Sequence, residues 1–150
     1  MLLEAGADVN QLSKDGSALN EASWRGDSAL VTLLLKAGAD PDTTNNHEED
    51  NGISCLAMAV ERGHVGVAKL LLQAGANPNI QSNYGATALY EAVARNSPEM
   101  VRLLLDAGAD FNLRYVNGCT PLESARSKSQ AQVAALLRQY GAKLDEDDDA

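Results

Sequence analysis

The sequence predicts an all-α solenoid, a row of stacked helix-turn-helix units joined by short hairpin or loop fingers. Three observations carry the prediction: a six-residue string recurs along the chain, an apolar stripe of helical spacing leads into it, and a glycine ends each copy. The string is Leu-Leu-x-x-Gly-Ala, found as Leu2-Leu3-Glu4-Ala5-Gly6-Ala7, Leu34-Leu35-Lys36-Ala37-Gly38-Ala39, Leu71-Leu72-Gln73-Ala74-Gly75-Ala76 and Leu104-Leu105-Asp106-Ala107-Gly108-Ala109. A weaker fifth copy is Leu137-Arg138-Gln139-Tyr140-Gly141-Ala142. Successive glycines of the string lie 32, 37, 33 and 33 residues apart, the mark of a repeat architecture.

On this period the chain divides into a partial first unit over 1–10, four units over 11–42, 43–79, 80–112 and 113–144, and an acidic tail over 145–150. A chain of 150 residues has room for one domain, here 1–144, and not for a second. The first helix of each full unit is expected at Ala18–Arg25, Cys55–Arg62, Ala88–Arg95 and Pro121–Lys128. The second carries its apolar residues at i, i+3 and i+4, as in Val31, Leu34 and Leu35, or Ala68, Leu71 and Leu72, or Val101, Leu104 and Leu105. Ser97-Pro98-Glu99 reads as an N-cap with proline in the first turn, and Thr120-Pro121-Leu122-Glu123 as a capping box. Gly38, Gly75, Gly108 and Gly141 fall where a left-handed residue closes the last turn. Helices this short are marginal alone and persist by stacking on their neighbours. Asp40-Pro41-Asp42 and Asn77-Pro78-Asn79 are turn sequences between units.

Composition narrows the function. Only 4% of residues are aromatic, so the core is aliphatic and rich in alanine. Twelve basic against 21 acidic side chains give −9, of which Asp145, Glu146, Asp147, Asp148 and Asp149 supply five. That balance repels nucleic-acid phosphate and anionic bilayers and steers a basic protein partner inward. The longest apolar run, Cys55 to Val60, is far short of a membrane span, so no direct membrane insertion is expected. Two cysteines and no secretory leader point to an intracellular location, cytoplasmic or nuclear.

A search for chemistry finds none, and predicts no enzyme, no cofactor and no metal. Phosphate-cradling loops, a nucleophile elbow, Cys-x-x-Cys and His-Glu-x-x-His are all missing from the sequence. His64, after Gly63, is expected to cap or pack a turn, and His47 sits in an acidic loop without a convergent ligand set. Cys55 and Cys119 lie two units apart, too far to bridge; Cys55 is read as a buried packing residue. Glu21, Glu61, Glu91 and Glu123 are read as solvated helix-face charges, and the tail as a solvating end.

Gly118-Cys119-Thr120-Pro121-Leu122, Gly85-Ala86-Thr87-Ala88-Leu89-Tyr90-Glu91-Ala92, Gly52-Ile53-Ser54-Cys55-Leu56 with Ala59 and Gly63-His64, and the five Gly-Ala ends together make the chain resemble the ankyrin repeat family, over nearly all of 1–144. The family's Thr-Pro-Leu-His box is altered to Ser17-Ala18-Leu19-Asn20, Ser54-Cys55-Leu56-Ala57, Thr87-Ala88-Leu89-Tyr90 and Thr120-Pro121-Leu122-Glu123. With no box histidine, weaker bridging between turns and modest stability are expected. The resemblance implies a non-catalytic protein-protein interaction module that grips its partner on a concave face of loop tips and first helices. The matching positions are Trp24, Arg25, Asp50, Asn51, Ile53, Glu61, Arg62, Asn83, Tyr84, Arg95, Val116 and Asn117, with Ala86 and Ser127 beside them. Trp24, Arg25 and Tyr84 are also residue types that dominate interface hot spots. The resemblance further implies hydroxylated asparagines at Asn10, Asn79 and Asn112, where Asp42 fills the corresponding place in another unit.

Two irregularities add expectations. The partial first unit leaves the N-terminal face near Leu2, Leu3 and Leu19 to be covered by further repeats or another chain. The long glycine step places about four extra residues in Thr43 to Asp50, read first as a tolerated surface insertion and second as a finger that contacts the partner. The alternative function is a targeting or regulatory segment of a larger protein whose chemistry lies elsewhere.

Overall fold

A computed structural model describes residues 6–13, 16–45 and 52–145. The expectations that rest on Leu2, Leu3, His47, Asp50, Asn51 and the tail beyond Asp145 lie outside the described residues, as does most of the Thr43 to Asp50 insertion. The described residues form eight α-helices: α1 Ala18–Arg25, α2 Ser28–Lys36, α3 Cys55–Glu61, α4 Val65–Gln73, α5 Ala88–Ala94, α6 Pro98–Asp106, α7 Pro121–Ser127 and α8 Ala131–Gln139. Among them there is no sheet; two isolated pairings, Ser13 with Gly16 and Thr44 with Ser54, mark the bases of fingers. Three first helices end one residue earlier than the sequence predicts, because Arg62, Arg95 and Lys128 serve as C-caps.

Six of the eight described helices start where a side chain satisfies an open N–H group; α4 and α8, begun by His64 and Gln130, have no such cap. Ser17, Ser54, Thr87 and Thr120 accept from the backbone N–H of Asn20, Ala57, Tyr90 and Glu123, and Asp27 and Ser97 do the same for α2 and α6. The recurring string encodes the opposite end of the second helices. Gly38, Gly75, Gly108 and Gly141 adopt φ of +93, +88, +89 and +107°. The turn lets Ala39, Ala76, Ala109 and Ala142 donate back to Leu34, Leu71, Leu104 and Leu137 at 3.0–3.1 Å. This is a Schellman closure, in which the first leucine supplies both a core side chain and the accepting carbonyl.

The helices form two rows. First helices α1, α3, α5 and α7 stack in order, each also packed on the second helix of its own unit, and α2 meets α4 as α6 meets α8. Leu19, Leu56, Leu89 and Leu122 make one buried column through the stack, and Leu34, Leu71, Leu104 and Leu137 another. Leu19, expected beside an uncovered N-terminal face, is only 1% exposed; Leu33 is the side chain left half-open on α2. Leu71 is fully buried at mid-stack, so Leu71→Ala should lower stability by about 2–5 kcal/mol. An added Cβ at Gly75 meets no neighbour within 4 Å, so Gly75→Ala should cost only the left-handed strain, about 1–2 kcal/mol. Urea unfolding of the two variants checks both values and their order.

Candidate partner-binding surface

Because the unit repeats, the same position of successive first helices recurs in adjacent layers. Arg25, Arg62, Arg95 and Lys128 share one such position, Trp24, Glu61, Ala94 and Ser127 the one before it, and Asn20, Ala57, Tyr90 and Glu123 a third. These columns run along the first-helix face of the stack. The finger tips carrying Asn83, Tyr84, Val116 and Asn117 lead into α5 and α7.

Residues of this face reach back onto the preceding unit. Arg62 lays its guanidinium over the Trp24 ring, 4.4 Å from the centroid. Arg95 passes over Gly63, where any Cβ would come within 2.7 Å of the guanidinium, and donates from Nη1 to the Glu61 carbonyl at 2.7 Å. His64 provides no side-chain cap for α4; its ring lies under Gly26 and places Nε2 3.0 Å from the Trp24 carbonyl oxygen, so it joins units instead of capping a helix. The Trp24 ring thus carries Arg62 over it while His64 holds its backbone carbonyl, and the residue is still 41% exposed. Arg25 pairs with Glu21 within its own helix.

The fingers are tied in the same manner. Val116 donates its N–H to the Tyr84 carbonyl at 2.8 Å, which sets these two exposed side chains on neighbouring tips. Gly85 makes this contact, since a Cβ there would come 2.8 Å from the Arg114 carbonyl oxygen. Behind them Tyr90 and Tyr115 stack at 4.3 Å with planes 8° apart. Arg114 binds the Gly118 carbonyl, Glu123 and both oxygens of Asp145. Asn83 and Asn117 are exposed, while Ile53 is half-buried against the core and Ala86 is buried. Ala86 is therefore no part of an open surface.

In the first full unit the altered box still bridges to the next, whereas Ala57 in the second offers no side-chain donor or acceptor. Asn20 accepts from the Ser17 N–H, completing a second capping box, and donates from Nδ2 to the Thr43 carbonyl and to Cys55 Sγ in the next unit. Glu123 closes the box at Thr120, and Tyr90 stacks on Tyr115. On the turns after the second helices, Asn10, Asp42 and Asn79 each accept, through Oδ1, the N–H of Asp40, Asn77 and Asp110 at 2.6–2.7 Å. Asn10 and Asn79 thus have structural duties that precede any modification. Asn112 is exposed and donates its own N–H to Asp110. The bridging by Asn20, the Arg62–Trp24 stack and the Arg95 reach were not foreseen; aligning the units on their 33-residue period would have shown the cation column.

Titratable groups offer little chemistry. Cys55 and Cys119 are both free. Burial pushes the Cys55 thiol up to about 12, so it stays protonated. No set of three or more His, Cys, Asp or Glu among the described residues is placed to hold a metal. Glu91 is half-buried, not the solvated charge expected; burial first, then the charge of Glu61, raises its pKa, against a smaller opposing pull from Lys128. The folded chain therefore holds this proton more tightly than the unfolded one, and its contribution to stability falls as pH rises through the window above the ordinary value of 4.5. Glu91→Gln should be more stable than the parent at about pH 7 and match it at about pH 3.5 in urea melts, and an equal gap at both would contradict this origin.

No helix among the described residues is long and apolar enough to cross a membrane. Comparison with known proteins agrees with the geometry. The family described as ankyrin repeats, three copies, matches residues 19–115 and 56–148. A protein of Oryza sativa subsp. japonica named a probable E3 ubiquitin-protein ligase, XBOS34, is 40% identical over 72 residues, covering 46% of this chain and 13% of that protein. A protein of Treponema pallidum (strain Nichols), named as ankyrin repeat-containing, is 44% identical over 63 residues, covering 41% of this chain and 20% of its own. The chain thus spans a fifth or less of the length of these relatives. Family match, repeat period and paired-helix stack converge: this chain belongs to the ankyrin repeat family.

Proposed function

We propose that the chain binds a partner protein on the concave face formed by the ends of the first helices and the finger tips. Ankyrin repeats are generally protein-protein interaction modules without chemistry of their own. The observation that carries the choice of face is Trp24, its ring packed under Arg62 and its carbonyl held by His64, yet 41% exposed. A large ring covered on one side and open on the other loses little freedom on binding and gains the burial of the part still exposed. Tyr84 and Val116, 48% and 67% exposed on adjoining fingers, supply a second apolar platform in this reading. The remaining contacts are assigned to Arg25, Glu61, Arg95, Asn83 and Asn117, with Ile53 contributing its open edge and Asp50 and Asn51 the second finger. The overall charge of −9 favours encounter with a basic protein and disfavours nucleic acid, while the contacts themselves set register. Hydroxylation of Asn10, Asn79 and Asn112 and an intracellular site of action, cytoplasmic or nuclear, belong to the same reading.

A second reading rests on the similarity to the rice protein, of which the matched stretch is a small part. In it the chain is the targeting or regulatory segment of a larger protein whose catalytic portion lies outside these residues. Both readings use the same surface.

Crosslinking mass spectrometry of a captured partner should place contacts on α1, α3 and the third and fourth fingers. Trp24→Ala, Arg62→Ala and Tyr84→Ala should each weaken the captured complex at least about tenfold. Wild-type affinity in all three variants would show the face to be wrongly assigned. Intact-mass and peptide analysis of native material tests the asparagines, and unmodified peptides throughout would remove that part.

A further inference from the structure

The concave-face reading leaves the chemistry of the partner segment open, and the cation column bears on it. Every full unit places a base at the same position, Arg25, Arg62, Arg95 and Lys128, on a chain whose net charge is −9. The four differ in what they already hold. Arg25 is taken up by Glu21, Arg95 spends Nη1 on the Glu61 carbonyl, and Lys128 lies close enough to Glu91 to act on its titration. Arg62 sits over the Trp24 ring, 4.4 Å from its centroid, and among the described residues no carboxylate or carbonyl accepts from it. Glu61, its neighbour in sequence, makes no ion pair with it among those residues, and bears instead on Glu91.

A guanidinium pinned by one face to an indole keeps its edge free, and that edge is a rigid fork of N–H donors matched to the two oxygens of a carboxylate. The stack also fixes the long side chain beforehand, so little freedom remains to be lost when an anion arrives. We propose that Arg62, Arg95 and Lys128 bind an extended segment with a carboxylate at every third residue, a local acidic stretch within a partner whose overall charge is basic. The register follows from geometry. Packed helices lie about 8–10 Å apart and an extended strand advances about 3.3 Å per residue, so about three residues span one layer. Arg62 takes one carboxylate through its fork, Arg95 takes the next with the donors left beside Nη1, and Lys128 meets the third as a point charge. A polynucleotide, with charge on every residue, suits this spacing less well. The inference rests on the concave-face reading and specifies the ligand of that face.

Trp24 is the chain's only tryptophan and lies under Arg62, so its emission reports binding without a label. The probes are a Gly/Ser nonapeptide with Glu at every third position, its isomer with the same glutamates in one block, and oligothymidylate. The full chain should show a saturable change in emission with the spaced peptide, at least several-fold tighter than with the blocked isomer or the oligonucleotide, and weakened by added salt. Arg62→Gln should lose about tenfold in affinity, Arg62→Lys should fall between because it keeps charge without the fork, and Lys69→Gln on the exposed side of α4 should leave binding unchanged. Circular dichroism checks that each variant keeps its helices. Equal affinity for both peptides, tighter binding of the oligonucleotide, or binding indifferent to Arg62→Gln overturns the carboxylate register. Crosslinks from a captured partner that fall away from the first-helix ends overturn the concave-face reading itself, so the two failures are distinguishable.

Discussion

None of the eight described helices exceeds nine residues, and a nine-residue helix in water is mostly unfolded. What holds each of them is the burial of one apolar face against the next layer. The leucine columns through Leu56 and Leu71 are that burial in its simplest form, since each of these side chains is at most 1% exposed. A helix pair taken from the row would expose its share of the column and lose the reason for its shape. Caps and Schellman turns do not replace this burial; they ensure that the ends of short helices do not squander it through unsatisfied polar groups.

The same periodic constraint organises the outside. A position facing outward in one unit faces outward in the next, one layer on, so side chains that are distant in sequence become neighbours in a column. The backward contacts exploit this: Arg62 rests on Trp24, Arg95 on the Glu61 carbonyl, and His64 on the Trp24 carbonyl. On the turns, Asn10, Asp42 and Asn79 link each unit forward in the same spirit. A surface tied so closely to its scaffold is rigid, which suits the proposed recognition by presenting groups and not by rearranging them. The chemistry of recognition then depends on which residue fills a repeated position, and Trp24 stands out because its column holds Glu61, Ala94 and Ser127 elsewhere.

Local features were legible in the sequence because their causes are local. The starts of the first helices follow from Ser17, Ser54, Thr87 and Thr120, and the ends of the second from glycines with positive φ. Even so, Asn96 and Ser129 take the left-handed place that Gly26 and Gly63 fill in earlier units, a substitution that reading for glycine alone passes over. What escaped was set by the neighbouring layer. Leu19 looks uncovered beside a partial unit yet is buried, Glu91 looks like a surface acid yet is half-covered and faces the charge of Glu61, and His64, read as capping or packing a turn, packs on the turn of the preceding unit. Asn20 shows the same lesson in reverse: it lacks the family's imidazole but still carries the bridge to Thr43. The candidate surface was legible as a list of positions; the pairing of Trp24 with Arg62 required knowing how one layer lies on another.

The central claim is that order passes only between adjacent layers. Native-state hydrogen exchange on Leu122→Ala, a change confined to the last first helix, tests it most directly. The account predicts that protection falls in α7 and α8, less in α5 and α6, and stays near the parent level in α1 and α2. An equal loss of protection in all eight helices would contradict it, because it would mean that stability is held by the molecule as a whole and not by neighbour on neighbour.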